Sequence, residues 1–165
     1  MPRKRDSRPF GKLYYDIWDD PDFTNLTIEA QAVYAMLISS RQRNHVGVTD
    51  YAPGRFIGNA ANWTPEKFRA AIDELQNGRF VVVDNDSMEV LIRTYNRHDK
   101  TLNTPNMGTS VGRVFRTVFS KKLRDAIVHE LAKYYRLEPD VPGWVKLSEE
   151  NTELWNAVRA NVDLQ

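Results

Sequence analysis

The chain has 165 residues, enough for one domain with appendages, and 41% of them are apolar, including four Trp, seven Tyr and seven Phe, which suffices for a packed core. No run approaches the roughly 18–20 apolar residues that span a bilayer, and the basic start Met1–Arg8 lacks the apolar stretch of a secretory signal. With no cysteine there is neither a disulfide framework nor a thiolate metal site, and a cytoplasmic protein is expected.

The formal net charge of +1 hides a segregation along the chain. Residues 1–12 carry five Lys/Arg against Asp6, residues 13–99 carry eight basic against thirteen acidic groups, and residues 100–136 carry eight basic groups against Asp125 and Glu130. Residues 137–165 are acidic again, with six carboxylates against two cations. A basic arm and a basic segment therefore flank a mildly acidic module.

In chain order, residues 1–9 read as part of a disordered basic arm that extends to about residue 12. Aromatics cluster at Phe10, Tyr14, Tyr15, Trp18 and Phe23 and are expected to pack on the module C-terminal to them. Thr27 is a good N-cap, with Glu29 in the first turn, for a helix burying Ile28, Ala32, Val33, Met36 and Leu37. Val46-Gly47-Val48 is short enough to be a first strand, and Thr49 or Asp50 is placed to cap a helical segment running through Phe56 and Ile57 to Asn59. Thr64-Pro65 is a strong helix start, Phe68, Ala71, Ile72 and Leu75 form a buried face, and Gly78 supplies the stop. Phe80–Val83 and Val90–Ile92 read as a hairpin about the polar turn Asp84–Ser87.

Beyond Asp99 the composition changes. Lys100–Gly108 is a polar crossing, residues 110–136 are helical, and Ser120 either restarts the helix or lies within one bent helix. Lys121 and Lys122 would oppose the dipole of a new first turn. Pro139, Pro142 and Gly143 mark a break before a last amphipathic helix over Ser148–Val162.

A helix, a very short strand, two closely spaced helices and a hairpin match the order of a winged helix. The predicted fold is mainly α with a small β-hairpin: a winged helix-turn-helix over 13–99 with a helical C-terminal extension over 100–165. The matching residues are Trp18, Asp19 and Phe23, Leu26-Thr27 before Ala30-Gln31-Ala32-Val33-Tyr34, and Val46-Gly47-Val48. They continue with Ile72-Asp73-Glu74-Leu75, Phe80–Asp84, and Arg97-His98-Asp99 with Pro105 shortly after. On these, the stretch from Tyr15 to Pro105 resembles the N-terminal winged-helix domains of phage replication-initiation (replisome-organiser) proteins and related helix-turn-helix regulators of actinobacterial phages. The resemblance implies a non-catalytic double-stranded DNA-binding protein of a bacterial host cell, acting in phage or prophage replication or transcription regulation beside replication or regulatory proteins.

In such a fold the 65–77 segment is the recognition helix, with Thr64, Lys67 and Arg69 probing bases. Its outermost positions are Glu66, Ala70, Asp73 and Asn77, so two carboxylates sit where phosphates would approach, and the turn residues Asp84 and Asp86 are acidic too. The helix either enters a groove or presents a solvated or protein-binding face. Better electrostatic candidates lie outside the module. Arg3, Lys4, Arg5 and Arg8 resemble arms that track a minor groove or phosphates, and Arg113, Arg116, Lys121, Lys122 and Arg124, with Lys133 and Arg136, could line one helix. A solvated outer face has the same appearance.

Trp18 and Trp63 are expected in the core. Trp155, with Leu154 and Val158, is a candidate partner anchor, since aromatics dominate protein hot spots. That supports an alternative: a protein–protein adaptor or homodimerisation module. Neither catalysis, a cofactor nor a metal is expected. His45, His98 and His129 lack ligand spacing, His98-Asp99 stands without companion histidines, Asp19, Asp20 and Asp22 form an ordinary acidic turn, and no glycine-rich phosphate loop occurs.

Overall fold

A three-stranded antiparallel sheet lies between two helical layers in the computed structural model, which describes residues 9–164. After a 3-10 turn at Tyr15–Asp19 come α1 (Pro21–Thr24), α2 (Ile28–Ile38), β1 (Val48–Asp50), α3 (Pro53–Ile57), α4 (Pro65–Asn77), β2 (Val81–Asp84) and β3 (Glu89–Ile92). The chain continues through α5 (Tyr95–His98), α6 (Pro105–Phe115), α7 (Lys121–Leu137), α8 (Gly143–Glu150) and α9 (Thr152–Asp163). The protein is mainly α with a small sheet, ordered β1-β3-β2. Among the described residues no helix is long and apolar enough to cross a membrane.

The sheet has two cores because β3 is central and covered on both faces. Val81, Val83, Val90 and Ile92 join the α2, α3 and α4 side chains on one face. Val48 and Leu91, with Val82 against them, join α6 to α9 on the other. Alternation along each strand delivers this split. The segment after Asp99 is thus the second layer on the same sheet.

Local signals set several elements as expected. Thr64 Oγ1 accepts from the Lys67 N–H at 3.2 Å, Pro65 occupies the first turn, and Phe68, Ala71, Ile72 and Leu75 are buried. Thr27 caps α2, its hydroxyl accepting from Ala30 N–H at 3.2 Å.

Other elements differ. The buried stripe of α2 is Ala30, Val33, Tyr34 and Leu37, while Ile28 is 81% exposed. Two residues before Ala30 is about 200° around the helix, so Ile28 faces outward once Ala30 faces in. Trp18 packs edge-on against Phe23 but is 57% exposed, and Tyr15 is 95% exposed, so of the opening aromatics Phe23 alone is buried. Trp63 is half-buried, edge-on to Phe68.

The first strand begins at Val48 because Asn44 Oδ1 accepts from both Val46 N–H (3.1 Å) and Val48 N–H (3.0 Å), closing a turn through Gly47. Gly47 has φ +84°, and a side chain there would meet Tyr95. Neither Thr49 nor Asp50 caps α3: both lie in β1, and Ala52 precedes the helix without a side-chain cap.

The polar crossing ends at Pro105, where α6 starts, and Leu102 within it is fully buried. Ser120 does restart the helix, its hydroxyl accepting from Leu123 N–H at 3.0 Å. The expected 148–162 helix is broken at Asn151. This residue leaves helical geometry (φ −143°, ψ 81°), caps α9 through Leu154 N–H at 3.0 Å, and donates to the Gly112 carbonyl at 2.9 Å.

Candidate nucleic-acid interface

The α3–α4 unit is held from beneath. Phe56 of α3 stacks on Phe68 of α4, with ring centres 5.5 Å apart and planes 15° from parallel, and Tyr51 stacks on the same ring at 6.3 Å. Asn62, at φ +63°, turns the chain between the helices, and its carbonyl accepts from Lys67 Nζ at 3.1 Å. The outward positions Glu66, Lys67, Arg69, Ala70, Asp73 and Asn77 are all exposed.

Electrostatics on this face are mixed. The helix's own N–H at Glu66 and the Thr64 hydroxyl hold the Glu66 carboxyl below its ordinary value, so it is ionised at neutral pH. Glu74 is held at the start of α2: its carboxylate accepts from Thr27 N–H at 2.8 Å and from Thr27 Oγ1 at 2.6 Å. Lys67 and Arg69 remain as exposed cations beside Glu66 and Asp73.

The strands of the hairpin pack under the start of α7, and its turn stays exposed at Asn85 and Asp86. Asp50, Glu89 and Asp84 are cross-strand partners and form one acidic row over β1, β3 and β2. Like charges so placed repel. The row is met by the start of α7. Glu89, fully buried, accepts from Ser120 N–H at 2.8 Å and from Phe119 N–H at 3.4 Å. Asp84 accepts from the Ser120 hydroxyl, and Lys122 Nζ donates to the Val83 carbonyl at 2.9 Å. The N-terminal partial charge of α7 thus faces the acidic row, which offsets the cost of placing Lys121 and Lys122 in a first turn.

That pairing removes much of the expected basic stripe. Arg113 and Arg116 both reach Glu150, at 3.3 and 3.1 Å, and Arg116 also donates to the Glu150 carbonyl, fastening α6 to the end of α8. Lys121 pairs with Asp125 at 2.7 Å. Lys133 lies 3.9 Å from Glu130, whose carboxylate accepts from Arg93 Nε and Nη2 at 3.0 and 2.8 Å. Arg116, Lys121 and Arg124 line one groove, but Asp125 and Glu153 line it too. Arg113 and Arg116 thus join α6 to α8, whereas Lys121 and Lys133 pair within α7. Arg3, Lys4, Arg5 and Arg8 lie outside the described residues.

The expected anchor on α9 is corrected. Leu154 and Val158 are 1% and 0% exposed and belong to the second core, because the break at Asn151 turns their face onto α7. Trp155 is half-buried against Tyr135 (5.3 Å) and Trp144 (6.1 Å), with Arg159 lying over it. Aromatic side chains that do stand open include Tyr15 and Trp18, before α2, and Phe119, before α7. The exposure of Tyr15 and Trp18 reflects a 3-10 turn too short to bury a face, which composition alone does not reveal.

The Glu150 clamp predicts a pH dependence. The Arg116 guanidinium, then that of Arg113, holds the Glu150 carboxyl below its ordinary value, and the Ser120 hydroxyl does the same for Asp84. A carboxyl lowered on folding adds stability above the usual carboxylate range, and that stability is lost as pH falls through the folded value. The urea midpoint should therefore drop between about pH 5 and 3. Glu150→Gln should lower the midpoint at pH 7 and flatten this acid dependence; an unchanged profile would show that the clamp does not contribute.

Comparison with protein-family models, curated proteins and solved structures finds no match to this chain.

Proposed function

We propose that this chain binds double-stranded DNA without catalysis, presenting α4 as the reading helix of a winged-helix arrangement. The observation that carries the reading is the order α2-β1-α3-α4-β2-β3 with the sheet ordered β1-β3-β2. It leaves the start and outer face of α4 open, with Lys67 and Arg69 exposed there. Thr64 sits at the same end. The basic arm of Arg3, Lys4, Arg5 and Arg8 adds charge in sequence, as a contact to phosphates. A role in phage or prophage replication or transcription regulation rests on the resemblance of residues 15–105.

Fluorescence anisotropy of a labelled duplex against salt tests this. Affinity should fall steeply with salt. Lys67→Glu with Arg69→Glu should weaken binding by at least about tenfold at low salt, because two cations of the reading helix become carboxylates that the phosphates repel. Absence of wild-type binding at low salt would overturn the reading.

A second reading, a protein-partner or dimerisation module, is favoured by the exposed Tyr15 and Trp18 beside the carboxylates Asp16, Asp19 and Asp22. It predicts association that survives salt and is lost in Trp18→Ala.

A further inference from the structure

Two cations that chain order does not group, Arg41 and Arg55, line one cleft between the end of α2, β1 and α3, together with Ser39, Ser40, Gln42 and Asn59. Arg41 lies just past α2 and is exposed, and Arg55 has a side chain 66% exposed. The loop is built to hold its shape. Ser40 Oγ meets Thr49 Oγ1 at 3.1 Å and accepts from Gln42 N–H at 3.2 Å, so the turn that carries Arg41 is fastened to β1. Arg55 is anchored by its neighbour Phe56, which stacks on the α4 ring Phe68. Asp50 lies across the cleft from Arg55 at 3.5 Å and sets its geometry, as a weak exposed pair.

We infer that this cleft is a phosphate-binding site, and, resting on the DNA-binding reading above, that it holds a backbone phosphate of the duplex while α4 faces the groove. The chemistry fits. Two guanidiniums present forked donors matched to phosphate oxygens, and the Gln42 and Asn59 amides add neutral donors. Among the described residues Asp50 is the one carboxylate lining the cleft, and its pairing with Arg55 is exposed enough to be exchanged for a phosphate. Phosphate contacts of this kind fix register and carry no sequence information. Placement supports the link to α4: α3 packs directly on α4, and Tyr51, next to Asp50, stacks on Phe68.

The test uses the full chain and two probes, a labelled duplex of random sequence and inorganic phosphate. Arg41→Gln with Arg55→Gln should weaken duplex binding about equally for every sequence and make the log–log salt slope shallower by about 2. Asp50→Asn should tighten duplex binding by a few-fold, a gain that loss of structure cannot produce. Inorganic phosphate should shift the amide signals of residues 39–42 and 55–59 in the wild type and not in the double variant. Duplex binding with an unchanged slope in the double variant overturns the inference and leaves the DNA-binding reading standing. Phosphate shifts at these residues without duplex binding keep the phosphate site and overturn its link to DNA. Neither duplex binding nor phosphate shifts overturns both.

Discussion

Glu89→Ala is expected to lower the unfolding free energy by about 2–3 kcal/mol, the range for buried donors that lose a charged acceptor. Glu89 is fully buried at the middle of the acidic row, and its carboxylate receives the Ser120 and Phe119 N–H groups at the start of α7. Those donors belong to a helix end whose N–H groups have no partner within the helix. Alanine would leave the buried Ser120 N–H without its acceptor. Removing one of three neighbouring carboxylates would relieve some repulsion, which is why the expected loss stays well below that of breaking an isolated buried ion pair. Glu89→Gln keeps an acceptor and should cost less than alanine. Asp86→Ala, on the exposed turn, should stay within about 0.5 kcal/mol of wild type. Urea unfolding of the three variants checks the order, and a Glu89→Ala loss no larger than that of Asp86→Ala would show that the row and α7 are not coupled.

The second large effect concerns the crossing of α6 and α8. Gly108 faces the backbone of Gly143: a Cβ at 108 would collide with the Gly143 carbonyl oxygen and lie 2.9 Å from its Cα. Gly143 is itself tied down, its N–H donating to the Leu102 carbonyl at 2.8 Å. In an unobstructed helix interior, Gly→Ala would stabilise by up to about 1 kcal/mol. Here neither side of the contact is a flexible side chain, so the helices must separate, and loosened packing should spread to Val111, Trp144 and Leu147 in the same core. Gly108→Ala is therefore expected to destabilise by at least about 2 kcal/mol. Gly58→Ala is the control. Gly58 has φ −70° and open space around its Cβ direction, so the change should be neutral or stabilising by about 0.4–1 kcal/mol. A stabilised Gly108→Ala protein would mean that the two backbones are not in contact.

The first effect arises where α7 meets the sheet and the second within the layer of α6 to α9, and neither bears directly on α4. Stability and nucleic-acid binding should therefore separate experimentally. Substitutions at Lys67, Arg69, Arg41 and Arg55 alter an exposed surface, whereas those at Glu89 and Gly108 alter the frame that holds it.

The elements that sequence alone determined are those whose signals are local. Thr64-Pro65 with Phe68, Ala71, Ile72 and Leu75 defines α4 completely, since cap, first-turn proline and buried face all lie within a few turns of one another. The hairpin was equally legible, because two β-branched runs flank a turn of Asp and Asn. The exposed face of α4, with its mixed charge, came from the same helical period.

Tertiary structure decided the rest, because each remaining choice depends on a partner distant in sequence. The phase of α2 was fixed by what Ala30, Val33 and Leu37 pack against, which turned Ile28 to solvent. The break at Asn151 was fixed by the Gly112 carbonyl, 39 residues earlier, and it turned Leu154 and Val158 from a partner surface into core. Above all, the acidic module and the basic segment are separate and opposite features in sequence, one adverse to DNA and the other favourable. In the fold the acidic row of the sheet meets the first turn of α7, and the arginines of α6 meet Glu150. Charge composition records how many cations a segment carries; only the packing determines which of them a carboxylate of the same chain already holds.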